Sequence, residues 1–208
     1  MDFSRAVELF SKDRLASYEF DIKQHRKNLN LIGSIAHKLG FIEIALRNQL
    51  DRLMCFKFGD DWISKDYSQM VDSKLSHSQN ISRLSLGDII FIIHKQKLLS
   101  KIMNLKDMDF VKYDKYNRNF YRKNGIKHKF SNKDKVKISL DLLKTLRNRS
   151  FHWENILKIR SNNGHISPRI TTEIHNVWIG LHPDNINIFL DDLLQEFGSD
   201  LLKYVNER

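Results

Sequence analysis

The chain of 208 residues, 41% hydrophobic and with a formal net charge of +10, is long enough for one buried core, and a single domain over 1–208 is expected. Its one cysteine, Cys55, excludes an internal disulfide and points to a reducing, cytoplasmic setting. The longest purely apolar run, residues 89–93, falls far short of the roughly 20 residues of a membrane-spanning helix, and the opening MDFSRAVELFSKDR lacks the layout of a secretory signal, so no membrane partner is expected.

Only two prolines and eight glycines punctuate the sequence, and its apolar residues recur mostly at spacings of three and four. That period belongs to helices, so the expected fold class is all-α. In chain order, Ser11 and Asp13 predict a helix start near Lys12. An apolar-periodic block extends from Leu31 to Phe58, with Gly40 a possible break between two helices and FGDDW closing it. Residues 66–83 read as a short helix within loops. SLGDIIFIIHKQKLL resumes as a buried helix capped by Asp88 and running to about Leu99.

Charge is concentrated between Val111 and Lys137, where ten Lys/Arg stand against Asp114 and Asp134. Tyr113, Tyr116, Phe120, Tyr121 and Phe130 are interleaved with them, and cations plus ring faces suit a polyanion with flat bases. The RNA contacts expected from this segment are Arg118, Arg122, Lys123, Lys127 and Lys129. Asn124 and Gly125 supply a turn inside it. The other reading is a solvated loop whose rings pack on the body.

From Lys133 a long helix is predicted through Leu140, Leu143, Leu146, Trp153 and Leu157, ended by SNNGHISP. A last amphipathic helix covers residues 186–205. Trp62, Trp153 and Trp178 read as core anchors, and His94 as a core or helix-end histidine. Glu43 and Arg47 read as a helical ion pair rather than a second RNA contact. No metal is expected: the histidines show no ligand spacing and Cys55 has no neighbour in sequence.

Within the long helix stands LRNRSFHWENIL, residues 146–157. The spacing of Arg147 and His152 says little alone, since Arg122 with His128, Arg160 with His165 and Arg169 with His175 are spaced similarly. What singles it out is Asn148 beside Arg147 within a leucine-rich helix. At about 100° per residue, Asn148 and His152 lie about 40° apart, whereas Arg147 sits about 140° from His152. Either the helix is distorted there or the working site is built from two copies.

LLKTLRNRSFH resembles the Arg-Asn-x-x-x-His signature of HEPN domains, and the order of RLASYEF, FIEIALRNQL, FGDDW, LSLGDIIFII and the signature resembles the Abi-like (abortive infection) bacterial proteins, covering most of residues 11–158. Phe151 and Trp153 depart from that pattern. The resemblance implies a HEPN-type helical bundle with additional helices, dimerising through the helix of residues 133–158. It also implies a metal-independent endoribonuclease without cofactor, used as a toxin or in phage defence, with an antitoxin as an optional partner. Arg147, Asn148 and His152 would be catalytic. His152, with an ordinary pKa near 6.5, suits general acid–base work, and Arg147 offers a fork to phosphoryl oxygens; Asn148 would orient the histidine or hold an oxygen. Arg149 is a phosphate contact or an exposed helix cation. The alternatives are a non-catalytic RNA-binding module and a helical scaffold that only dimerises.

Overall fold

The computed structural model describes residues 2–162 and 165–207, the side chains of Asn162 and His165 excepted. The chain opens with α1 (Phe3–Phe10) and α2 (Lys12–Ala16), then a 37-residue helix, α3 (Ile22–Phe58). Gly40 lies inside α3 and does not break it. Asp21 caps its start, accepting from Lys23 N–H and Gln24 N–H, and Gly59 (φ +90°) ends it. Four short helices come next: α4 (Trp62–Asp66), α5 (His77–Arg83), α6 (Leu86–Lys95) and α7 (Leu99–Ile102). Ser85, not Asp88, is the α6 N-cap; Asp88 sits at the third helical position and closes the reciprocal capping box.

The all-α expectation is overturned: 61% of the chain is helical, but 12% is strand, in three two-stranded antiparallel sheets. The first, β1 (Phe120–Lys123) with β2 (Ile126–Lys129), is the basic segment itself. Asn124 and Gly125, at φ 52° and +78°, form the two-residue turn whose positive φ values match the strand twist. After α8 (Asn132–Phe151) come β3 (Ile159–Asn162) with β4 (His165–Pro168), and β5 (Ile170–Ile174) with β6 (Val177–Leu181). The β5–β6 turn, His175–Asn176, has φ 49° and 58°. Asn163 and Gly164 of the predicted SNNGHISP terminator lie outside the described residues. The expected last helix is two, α9 (Ile186–Gln195) and α10 (Ser199–Asn206), parted at Gly198 with φ +138°.

The core forms where α3 presents Ile32, Ile35, Leu39, Ile42, Leu46 and Leu50 and α8 presents Val136, Leu140, Leu143 and Leu146, all buried. α6 and α7 pack on both helices, α9 and α10 on α3, and the β5–β6 hairpin on α8. One stretch of α3 is long and apolar enough in composition to cross a membrane (mean hydropathy 1.3 over the window), yet its leucine and isoleucine stripe is the centre of this core. Asn117 ties the polar loop before β1 to the sheet, donating to Phe110 and Gly180 carbonyls and accepting from Gly180 N–H. Gly180 allows Pro168 to lie against β6; a Cβ there would come within 2.6 Å of the proline ring. Trp62 is a core anchor, whereas Trp153 and Trp178 are 49% and 61% exposed, Trp178 on the outer face of its hairpin and Trp153 in a turn.

Candidate functional site

α8 stops earlier than its apolar spacing predicts, at Phe151. Glu154 N–H donates to the Arg149 carbonyl and Trp153 N–H to the Ser150 carbonyl, the paired bonds of a Schellman cap. The left-handed residue that usually is glycine is here Trp153, at φ 55°. His152 occupies the C-cap, its N–H donating to the Asn148 and Ser150 carbonyls. The segment beyond is pinned rather than helical. Asn28 on α3 donates to the Glu154 carbonyl (3.0 Å) and accepts from Ile156 N–H (2.8 Å), and Asn155 donates to the Ser17 carbonyl (2.6 Å).

His152 therefore stands exposed beside a shallow cleft of about 330 Å³, lined by Ser11, Arg14, Ser17, Trp153, Glu154, Asn155 and Arg169. Arg14 Nη1 donates to the Trp153 carbonyl (2.8 Å). Arg169 pairs with Glu154, as does Arg149 (Nη1 to Oε2, 2.5 Å). Desolvation, then the neighbouring Arg149, lowers the Arg169 pKa against the pull of Glu154. Arg149 is thus half-buried and ion-paired, not a free helix cation; its Nε is buried without a partner among the described residues. Arg14 and Arg169 went unrecognised in the sequence as neighbours of His152: Arg14 lies far away at the start of the chain, and Arg169 is returned to the cleft only by the β3–β4 hairpin.

Asn148 is exposed one turn before His152. Arg147 faces another way. Its Nε lies 3.3 Å from Glu43 Oε2 on α3, its guanidinium sits 5.1 Å from the Phe151 ring, and it does not line the His152 cleft. Glu43 also holds Arg47 (3.2 Å), which donates to the Leu84 carbonyl (3.0 Å). Within one chain, the two residues expected to work on one phosphate are not brought into one cleft.

The five cations expected to touch RNA, Arg118, Arg122, Lys123, Lys127 and Lys129, are all exposed on or beside the β1–β2 hairpin. Their interleaved rings are mostly committed elsewhere. Tyr113 and Phe130 are buried, and Tyr121 stacks on His175 with centroids 4.1 Å apart. Phe120 is covered by Lys127 (4.1 Å to the centroid), so Tyr116, 54% exposed, offers the most open ring of the five. Lys135 is no surface cation at all: its Nζ donates to the Lys106 and Met108 carbonyls (2.6 and 2.7 Å). The hairpin adjoins the start of α8 and His152 its end, so the two are separated by about 30 Å, the length of a twenty-residue helix.

His94 closes α6, with desolvation and then Lys137 lowering its pKa. The fold also corrects the expectation that Cys55 has no ligand-type neighbour. It gathers Asp51, Cys55 and His77; burial, then the charges of Asp51 and Asp60, push the Cys55 thiol up to about 11.

No protein-family model, curated protein or solved structure matches this chain.

Proposed function

We propose that this chain is an RNA-cleaving protein of HEPN type, acting as a homodimer and without a metal in the reaction. The observation that carries the reading is His152 held at the end of α8, exposed beside a cleft with two arginines and one turn from Asn148. An imidazole in that setting can take the 2′-hydroxyl proton while guanidinium groups meet the charge that builds on the phosphate. In-line attack by the 2′-oxygen, with the protonated His152 imidazole of the second copy giving its proton to the departing 5′-oxygen, leaves a 2′,3′-cyclic phosphate and a 5′-hydroxyl, and DNA resists because it lacks the attacking group.

Since Arg147 points toward Glu43, the reading requires a second copy. Phe151, half-exposed beside the Arg147 guanidinium, and the exposed Trp153 ring are apolar surface for such a contact. A pair joined across the ends of α8 would let Arg147 of one copy and His152 of the other share one phosphate. The abortive-infection role and an antitoxin rest on the sequence resemblance alone, and a cytoplasmic location on the single cysteine.

The test is incubation of the purified protein and its Arg147→Ala and His152→Ala variants with total RNA in excess chelator, followed by end-group analysis. Cyclic-phosphate ends made by the wild type and by neither variant support the proposal; cleavage that needs added metal, or cuts DNA equally, rejects it. A second reading, a non-catalytic RNA-binding module, is favoured by the ion pair that engages Arg147 and by the exposed hairpin cations. It predicts RNA affinity with no cleavage in any variant.

A further inference from the structure

At the far end of α3 from the His152 cleft, three side chains of different chemistry converge. Asp51 and Cys55 are four residues apart on α3 and so share a face; His77 opens α5 and reaches the same point from another segment. Cys55 Sγ lies 3.5 Å from Asp51 Oδ1, and His77 Nε2 lies 2.8 Å from that same oxygen. All three donor atoms fall within 4.8 Å of one another. Two ligands bound tetrahedrally to zinc stand about 3.3 to 3.5 Å apart, given metal–ligand bonds of about 2.0 to 2.3 Å. The cluster is therefore close to coordination spacing: the His77–Asp51 pair opens slightly, and the thiol and imidazole, within 4.8 Å of each other, settle onto the same ion.

The surroundings fit a cation as well. Asp51 has no Lys or Arg partner among the described residues; its one ion-pair neighbour is His77. The Asp60 carboxylate approaches the same thiol and can fill a fourth position, or leave it to water. Fully buried Trp62 donates its indole N–H to Asp51 (2.8 Å), the kind of outer hydrogen bond that orients a ligating carboxylate. The ligand side chains are neither sealed nor loose: Asp51 and His77 are each 29% exposed, so an ion can enter from solvent.

We propose that Asp51, Cys55 and His77 bind one divalent cation of borderline softness, Zn2+ by preference, with Asp60 or water completing a tetrahedron. A nitrogen, sulfur and carboxylate donor set selects zinc over magnesium or calcium, which take oxygen ligands. The ion joins α5 to α3 and fastens the segment between them. The site lies roughly 35 Å along α3 from Asn28, the residue that pins the turn after His152. It takes no part in the proposed RNA chemistry, and it stands or falls separately from that reading.

The test uses the full-length chain, reduced, stripped of metal and titrated with Co2+. Because Cys55 is the only cysteine, a near-ultraviolet sulfur-to-cobalt charge-transfer band reports this thiolate alone. One equivalent of Co2+ is expected to produce the band, Zn2+ to displace it, and Cys55→Ser to abolish it. His77→Gln is expected to weaken Co2+ binding at least tenfold. No band in the wild-type protein overturns the proposal, whether or not the variants fold; a band of unchanged affinity in folded His77→Gln overturns it too.

Discussion

Arg147 on α8 and Arg47 on α3 share one carboxylate, that of Glu43, at 3.3 and 3.2 Å. Glu43 is largely shielded, so its charge separates two cations that would otherwise face each other across the helices. Glu43→Gln is expected to lower stability by about 1 to 2 kcal/mol, less than a deep ion pair costs because Arg147 is partly solvated. Urea unfolding at low and high salt checks this: the loss should shrink as salt screens the two arginines. An unchanged midpoint would mean that the pair contributes nothing.

His152→Ala separates chemistry from structure, because the fold uses the backbone N–H of His152 while its side chain stands in solvent. Stability should stay within about 0.5 kcal/mol of wild type. RNA cleavage should fall by about 10² to 10⁴, the usual worth of a positioned acid or base, with RNA affinity kept. Thermal unfolding, single-turnover cleavage and filter binding measure the three quantities.

Long apolar periodicity was readable in the sequence, and it placed both central helices. Where one ends was less legible: Trp153 and Leu157 continue the α8 stripe in spacing, but the chain turns at a tryptophan in a position glycine normally marks, and Asn28, far away in sequence, pins residues 154–156 just beyond that turn. The hairpins were missed for a different reason. Asn124–Gly125 is a strong turn signal and residues 170–181 are rich in β-branched side chains, but a helix-period reading of the whole chain outweighed these local cues. At the candidate site, Arg147, Asn148 and His152 could be named from spacing and resemblance. Glu43 against Arg147, and Arg14 and Arg169 beside His152, are products of tertiary structure. So is the approach of His77 to Asp51 and Cys55, which already stand one turn apart on α3.

The β1–β2 hairpin carries Lys123, Lys127 and Lys129 exposed to solvent. If these meet RNA phosphates, replacing all three by Gln should weaken binding and flatten the dependence of log affinity on log salt by about 2, at about 0.7 per single-strand phosphate contact. Stability should hardly change, since none of the three is buried. A salt slope equal to wild type would show that RNA lies elsewhere.

Trp153 adopts φ 55° while the residue is 49% exposed, a conformation that costs a bulky residue free energy without core burial in return. Trp153→Gly should therefore raise stability by about 0.5 to 1 kcal/mol, since glycine takes the left-handed cap position freely. If the Trp153 ring is part of a contact between copies, the same substitution should weaken the dimer. Sedimentation and urea titration read the two effects separately, and a destabilised monomer would contradict the strain argument.

Asp134 closes the α8 capping box with Ser131 and also hydrogen-bonds His175 Nε2 at 2.9 Å, linking the helix start to the β5–β6 turn. Burial alone would raise its pKa, but the Ser131 and His175 hydrogen bonds outweigh it and hold the carboxyl below its ordinary value. A carboxyl depressed in the folded state stabilises the protein fully above its unfolded pKa, about 3.9, and that contribution is lost as pH falls through the lower, folded value. Asp134→Asn should thus be less stable than wild type by about 1 kcal/mol at pH 7, with the gap closing below about pH 4 as the wild-type carboxyl protonates. Urea midpoints of both proteins at pH 7, 5 and 3 would display this convergence; a gap constant across that range would assign the effect to packing rather than to the carboxylate's charge.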